Sequence, residues 1–368
     1  MKKQIGVLGL TTAVTALTLA GTFASAGAQA TPAATMAATM AASSLKVGLV
    51  TDVGRVDDRG FNQSSWEGVK ASAAALGLPA EYIETTDPAD YATNINALLD
   101  KGDNVIVTVG FNLADATVKA AQANPNVLFI GVDEAQDTVI PNLVGIVFNE
   151  DQSGFLAGVL AARMSKSGKV AGVYGAAVPA VVRFREGFAN GAKYANPNIS
   201  VQSTYYPGDI SKAFNDPTWG ANTADQALDQ GVDVVFAAGG GTGNGALSAV
   251  ARRTTTAKPL FCIGVDTDQW NTLADAHPCL LSSAVKDIPP ALDKVLKQAV
   301  AGTVKGGNFT GTVALAPFHD FGTVIPQSVQ DELTKLAVDL ASGKLSTGYA
   351  PATPAATMAA TMVATAAK

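Results

Sequence analysis

The side chains best suited to binding chemistry stand at a junction near the start of the chain, where an apolar run gives way to a helical pattern. Asp52 ends the apolar run, and Phe61 and Asn62 open the helical pattern. A carboxylate and an amide can hydrogen-bond the polar edge of a small molecule, and a phenyl ring can stack on a flat one. Turn formation with Phe61 packed into a core would explain the same residues, so the junction alone establishes no site.

Two more aspartates follow apolar runs that resemble each other closely. Asp133 lies in NVLFIGVDEAQ and Asp266 in PLFCIGVDTDQ, each directly after the last apolar residue of its run. Ligands of open parallel sheets bind beyond the carboxyl ends of the strands. Two such sheets that face each other would present one aspartate each, so the duplication predicts a polar cleft between two lobes.

The elements that hold these residues alternate between strand and helix, as in βαβ units. Apolar runs predict strands at 47–51, 105–109, 127–132, 143–148, 170–174, 232–237 and 260–265. Helical spacing predicts helices at 61–76, 113–123, 152–164, 181–194 and 246–252. The pattern predicts an α/β protein with two Rossmann-like lobes and parallel sheets, and the 368 residues suffice for two lobes of about 130–150 residues each.

Composition limits the class of partner. Hydrophobic residues make up 48% of the chain and charged residues 15%, which is enough apolar material for a large core. The net charge is −6 and no stripe of Lys and Arg occurs, whereas a nucleic-acid partner requires a basic face. We therefore expect no nucleic-acid partner.

The first thirty residues have the pattern of a secretory signal peptide. Lys2 and Lys3 precede an apolar stretch at 5–20, and small residues at 24–26 or 28–30 suit a signal peptidase. A retained anchor is the alternative, although the stretch is shorter than the ~20 residues that span a bilayer, and no Cys follows it for lipid attachment. The expected location is outside the cytoplasmic membrane, at its outer face in the cell envelope or extracellular.

Catalysis and cofactor binding have little support in the sequence. The segment 241–246 matches G-x-G-x-x-A, but the equivalent turn at 110–112 lacks the pattern, and glycines that let a ligand approach the backbone explain it better than a dinucleotide site. The two histidines, His277 and His319, are far apart, and no G-x-S-x-G, H-E-x-x-H or Cys/His metal spacing occurs. No catalytic residue, metal or cofactor is expected.

The two cysteines, Cys262 and Cys279, stand in apolar segments that two neighbouring strands would bring together. In an oxidising compartment such thiols pair when their Cα atoms lie within about 7 Å. A disulfide and two buried free thiols are both compatible with the sequence.

An ordered set of motifs across residues 45–345 resembles the basic membrane protein family, the purine-nucleoside receptors of bacterial uptake transporters. The set opens with TDVGRVDDRGFNQSSWEGVK from position 51. It continues with GVDEAQ at 131–136, FNEDQSGFLAGVLAA at 148–162, VRFREGFANGAK at 182–193, GGGTGNG at 239–245, IGVDTDQ at 263–269, SSAVKDI at 282–288 and LAPFHDF at 315–321. The chain is acidic despite the name of the family.

The resemblance implies a type I periplasmic-binding-protein fold with a purine nucleoside between the lobes. Transferred residue by residue, it assigns base contacts to Asp52, Asn62 and Asp133. It assigns ring stacking to Phe61 and Phe184, with Phe188 as an alternative to Phe184. It assigns the ribose to Gly239, Gly240, Gly241, Asp266 and Lys286.

The function implied is capture of the nucleoside by a monomer and its delivery to an ABC permease in the membrane. The alternatives are a secreted nucleoside-processing enzyme and a ligand sensor on the same fold. The expected organisation is a signal peptide at 1–30, a low-complexity linker at 31–44, a first lobe at 45–150 plus 287–315, a second lobe at 151–286 plus 316–345 and a low-complexity tail at 346–368. A hinge near 149–152, 286–289 and 316–318 joins the lobes.

Overall fold

Two six-stranded sheets form the framework of residues 45–350, the part of the chain that the computed structural model describes. The expected signal peptide, the 31–44 linker and residues 351–368 of the expected tail lie outside the described residues. Both sheets are flanked by helices, as expected for an α/β protein with two lobes. The chain builds most of one lobe, then most of the other, and finally contributes to each once more.

The first lobe begins with five strands and three helices. They are β1 (Val47–Val53), α1 (Phe61–Leu76), β2 (Ala80–Thr85), α2 (Tyr91–Asp100), β3 (Val105–Val109), α3 (Ala114–Ala123), β4 (Leu128–Val132) and β5 (Leu143–Val147). Strands β3 and β4 are buried at every position, because helices cover both faces of the sheet. This burial explains why both strands are continuous apolar runs in the sequence.

The second lobe follows and repeats the alternation. Its elements are α4 (Glu150–Met164), β6 (Lys169–Tyr174), α5 (Pro179–Ala195), β7 (Ser200–Tyr205), α6 (Pro217–Asp229), β8 (Val234–Ala238), α7 (Gly240–Arg253), β9 (Phe261–Asp266) and β10 (Leu280–Lys286). The chain then returns to the first lobe with α8 (Ile288–Val300) and β11 (Gly307–Thr310), and to the second with β12 (Val313–Leu315) and α9 (Gln327–Ala341).

Strand order is the same in the two sheets if each strand of one lobe is matched to its copy in the other. The first sheet runs β11-β5-β4-β3-β1-β2 and the second β12-β10-β9-β8-β6-β7. Every pair of neighbouring strands in the two sheets is parallel except β12 with β10. The carboxyl ends of β4 and β9, which precede Asp133 and Asp266, therefore hold equivalent positions in the two sheets.

The chain crosses between the lobes three times, and the third crossing differs from the expected one. Residues 313–315 were expected in the first lobe, but β12 pairs antiparallel with β10 of the second, with Leu315 opposite Ala284. The crossing therefore lies at 311–312, since β11 still belongs to the first sheet. Residue 150 was also expected in the first lobe but belongs to the second, because it begins α4, which packs on α5.

The start of the expected low-complexity tail is part of the folded chain. Asn190 donates to the carbonyl of Thr347, whose own hydroxyl donates to Asp151. Thr347 is buried by these contacts. Residues 346–350 therefore belong to the second lobe rather than to a tail.

Helix α7 begins at Gly240, six residues before its predicted start. The glycine-rich segment forms its first turns, where it packs closely on α6. A Cβ on Gly245 would lie 2.0 Å from the carbonyl oxygen of Pro217, and one on Gly220 would lie 1.8 Å from that of Thr242. Close packing of α6 on α7 thus requires glycine at both positions.

Candidate functional site

A cleft between the carboxyl ends of the two sheets contains almost all of the predicted site residues. Of these, Asp52, Phe61, Asn62, Asp133, Phe184, Gly239, Gly240, Asp266 and Lys286 line the cleft. Gly241 instead lines a neighbouring groove between α7 and the 53–59 loop. Sequence positions more than 200 residues apart therefore meet in one site.

Lys286 is the central charge of the cleft. Its ammonium lies 2.7 Å from Asp133 Oδ2 of the first lobe and 3.1 Å from Asp266 Oδ1 of the second, and its side chain is only 2% exposed. Burial would lower the pKa of Lys286, but the charges of Asp133, Asp266 and Glu150 outweigh burial and raise the pKa above its ordinary value. The lysine remains charged and joins the two lobes through its carboxylate partners.

The two partner aspartates share an unusual backbone conformation. Asp133 has φ 63° and Asp266 has φ 67°, in the left-handed region that residues other than glycine rarely adopt. Aspartate is among the residues that tolerate this region best. Equivalent positions in the two lobes thus have the same strained conformation, as is common at functional sites.

Asp52 is an acid that the cleft keeps neutral. Burial, reinforced by the negative charges of Asp58 and Asp133 and only partly opposed by Lys286, raises the pKa of Asp52 to about 8. Gly110 leaves the room for it, because a Cβ there would lie 2.4 Å from Asp52 Oδ2. Near pH 7 the Asp52 carboxyl can therefore donate one hydrogen bond and accept another.

Asn62 is oriented by the residue that caps the first helix. The carboxylate of Asp58 accepts the backbone amides of Gly60, Asn62 and Gln63, all close to the start of α1. It also accepts Nδ2 of Asn62 at 3.1 Å. The other end of that amide, Oδ1, is buried and has no hydrogen-bond partner among the described residues.

The two aromatic residues predicted for the site, Phe61 and Phe184, both line the cleft, and a third, Phe214, lines it as well. Phe61 lies with its ring 4.2 Å from the Lys286 ammonium, but Phe184 is only 2% exposed and packs edge-on against Phe236. Phe188, the alternative, is fully buried and stacks on Phe236. Phe214, which sequence reasoning missed, lines the cleft and is half-buried.

No motif in the sequence marks Phe214. It lies in the irregular segment between β7 and α6, and the predicted strands and helices do not cover that segment. Only the fold brings it beside Gly240, where a Cβ would lie 3.5 Å from the Cβ of Phe214.

The lobes also touch directly beside the cleft, in a set of contacts that we name the interlobe latch. The carbonyl of Arg59 accepts Thr272 Oγ1 at 2.8 Å and Gln269 Nε2 at 3.2 Å, and the carbonyl of Asp58 accepts Asn244 Nδ2 at 2.8 Å. The acceptors belong to the first lobe and the donors to the second. The structure therefore shows the two lobes in contact around the cleft.

Replacing Thr272 with valine is expected to weaken ligand binding about two- to tenfold, because one net hydrogen bond of the closed arrangement is lost. Isothermal titration would measure the change. Thr334→Val is the matched control, since Thr334 bonds only within the exposed face of α9. Equal affinities for wild type and Thr272→Val would contradict a role of the latch in closure.

A disulfide joins Cys262 to Cys279, with a Cα–Cα distance of 5.1 Å. The alternative of two buried free thiols is therefore wrong for this structure. The bond closes the 267–278 segment, which carries the latch residues Gln269 and Thr272.

The two histidines lie away from the cleft. They stack on Trp270, with ring centroids 3.9 Å away for His277 and 4.9 Å away for His319. His319 Nε2 also lies 2.8 Å from Asp268 Oδ2. Across residues 45–350, no group of three or more metal-binding side chains occurs.

Comparison with known proteins places the chain among transport receptors. The family model described as ABC transporter substrate-binding protein PnrA-like matches residues 45–312. A "CD4+ T-cell-stimulating antigen" of Listeria monocytogenes is 34% identical over 71% of this chain and 75% of its own length. An "ABC transporter nucleoside-binding protein BmpA" of Lactococcus lactis is 29% identical over 83% of this chain and 89% of its own length.

Solved structures support the fold. An ABC transporter solute-binding protein from Aeropyrum pernix superimposes with a TM-score of 0.73 at 23% identity, over 82% of this chain and 92% of that protein. A myo-inositol-binding protein of Caulobacter superimposes with a TM-score of 0.57 at 17% identity, over 78% of this chain and 97% of that protein. The expected periplasmic-binding-protein architecture is confirmed.

Proteins of this kind bind a small solute for delivery to a permease and are not enzymes, as the sequence analysis predicted. Within residues 45–350, no helix combines the length and apolarity needed to cross a membrane. The chain belongs to the PnrA-like family of ABC transporter substrate-binding proteins.

Proposed function

We propose that the protein captures a purine nucleoside in the interlobe cleft and delivers it to an ABC permease. One observation carries the proposal. Lys286 forms ion pairs with Asp133 and Asp266, and its ammonium lies beside the ring of Phe61. A nucleoside needs an aromatic surface for its flat base and charged or polar groups for the hydroxyls of its ribose, and the cleft offers both. The name of the Lactococcus relative supports the same ligand class.

The base is assigned to the side of the cleft that the first lobe provides. Phe61 of the first lobe and Phe214, which reaches the cleft from the second lobe, supply the aromatic surfaces on which it would stack, and Phe184 also lines the cleft. Asp52, Asn62 and Asp133 face its polar edge. Aromatic stacking on a nucleobase is worth about 1–3 kcal/mol per base, so Phe61 and Phe214 would supply much of the affinity.

The ribose is assigned to the second lobe. Its hydroxyl groups would donate to Asp266 and accept from Lys286, while the absence of side chains at Gly239 and Gly240 lets the sugar approach the backbone. Lys286 already holds Asp266 in place, so the carboxylate is oriented before the ligand arrives.

Closure of the two lobes follows from the contacts that the ligand makes with both of them. A ligand that touches Asn62 on one side and Asp266 on the other binds the closed arrangement better than the open one and so favours it. The interlobe latch adds protein contacts to the same state. We further propose that the protein works as an exported monomer, which is the simplest arrangement for delivery to a permease.

Isothermal titration of the purified protein, stripped of bound ligand by unfolding and refolding, tests the proposal. Inosine, guanosine or adenosine is expected to bind with a dissociation constant well below about 100 μM, whereas free ribose and myo-inositol are expected not to bind in that range. If no purine nucleoside bound at that concentration, the ligand assignment would be wrong and the family membership would stand.

A further inference from the structure

We infer that the cleft selects guanosine over adenosine, because its unpaired hydrogen-bonding groups match the edge of a 2-amino-6-oxopurine. This inference rests on the proposed function and names the preferred ligand of the same site. It depends on which polar atoms of the first lobe are left free once the contacts within the protein are made.

The first free atom is the oxygen of an amide. Nδ2 of Asn62 donates to Asp58 Oδ2 at 3.1 Å, so the amide cannot turn without losing that bond and bringing two oxygens together. Its Oδ1 is left buried without a partner. Asn62, which is 5% exposed, therefore presents a buried acceptor to the ligand.

The second free atom belongs to Asp133. One carboxylate oxygen, Oδ2, accepts from Lys286 at 2.7 Å. The other, Oδ1, is buried and has no partner among the described residues. A buried acceptor without a donor is costly, so a ligand that donates to both Asn62 and Asp133 gains affinity at each.

The third group is a donor. The charged residues that line the cleft are one lysine, Lys286, and four aspartates, at positions 52, 58, 133 and 266. Lys286 contacts Asp133 and Asp266, and Asp58 accepts the amides at the start of α1. Within the described part of the chain, Asp52 has neither an ion pair with Lys286 nor a hydrogen bond from a backbone amide. Its raised pKa of about 8 leaves it protonated near pH 7.

One donor and two acceptors are the complement of guanine. Its O6 accepts, and its N1–H and 2-amino groups donate, so Asp52, Asn62 and Asp133 can all be paired. Hypoxanthine, the base of inosine, lacks the 2-amino group and leaves one acceptor unpaired. Adenine has an acceptor at N1 in place of a donor, so an acceptor of the protein would face an acceptor of the ligand.

Titration with guanosine, inosine and adenosine tests the inference. Guanosine is expected to bind at least about tenfold more tightly than adenosine, with inosine between them, because polar groups left unpaired in a dry site discriminate strongly. Adenosine binding as tightly as guanosine would overturn the inference and leave the proposed function intact. Binding of no purine nucleoside would instead overturn the proposed function.

A modified ligand tests the same point without altering the protein. 1-Methylguanosine lacks the N1–H donor and is expected to bind at least about tenfold more weakly than guanosine. Equal affinity for the two would overturn the inference. In the protein, Asn62→Ala is expected to reduce the preference for guanosine over adenosine. Asn94→Ala is the matched control, because Asn94 is a helical asparagine that donates to Thr85 Oγ1 and does not line the cleft.

Discussion

Replacing Lys286 with methionine is expected to abolish ligand binding and to lower the free energy of unfolding by about 3–5 kcal/mol. Methionine keeps the apolar stem but removes the ammonium. Asp133 and Asp266, each with a side chain only 10% exposed, would then face each other with no positive charge between them. Denaturant unfolding would measure the stability, and isothermal titration the binding.

Lys297→Met is the matched control for this substitution. Lys297 pairs with Asp293 on α8, but its side chain is 60% exposed, so the loss of its charge is expected to change stability by no more than about 1 kcal/mol. A Lys286→Met protein as stable as this control would show that the buried charges do not depend on Lys286.

The ion pairs of Lys286 with Asp133 and Asp266 link closure of the lobes to the pairing of these three charges. The bond from Lys286 to Asp133 crosses between lobes, whereas the contact with Asp266 stays within the second lobe. Opening the cleft would break the first and keep the second. Asp133 would then regain water while Lys286 kept one partner, so neither lobe would be left with an unpaired buried charge.

The sequence predicts the central strands well because they are buried on both faces. Strand β3 and helix α1 were predicted with the bounds that the structure shows, since continuous apolar runs and helical periodicity both follow directly from burial. Strand β7 at the edge of the second sheet is only partly buried and polar, so it has no comparable pattern. The three-residue strand β12 is too short to show any.

The site was predictable where it repeats and unpredictable where it depends on tertiary structure. Duplication placed Asp133 and Asp266 on opposite lobes, and the family resemblance placed Lys286 beside Asp266. The bond from Lys286 to Asp133 joins residues 153 positions apart, and only the fold shows it. The latch is similar: its acceptors are backbone carbonyls, which carry no residue identity. Phe214 contributes only because its irregular segment returns to the cleft.

The free energy of unfolding is expected to fall as the pH rises from about 4 to about 8, and Asp52→Asn is expected to flatten that fall. Burial raises the pKa of Asp52 in the folded protein to about 8, whereas the unfolded chain titrates near the ordinary value of 3.8. Between the two values the folded state holds a proton that the unfolded state has released. Stability therefore declines by up to about 1.4 kcal/mol per pH unit for this group.

Denaturant unfolding at several values between about pH 5 and pH 9 measures the slope. Asparagine has the shape and neutrality of the protonated acid, so the variant lacks the titration but keeps a donor and an acceptor in the cleft. Part of the slope is expected to remain in Asp52→Asn, because burial also raises the pKa of Glu150 to about 8. The double variant Asp52→Asn, Glu150→Gln is expected to have a smaller slope than Asp52→Asn alone. Identical slopes in Asp52→Asn and wild type would mean that Asp52 is ionised in the folded protein. It could not then donate to a base, and the preference for guanosine would lose its donor.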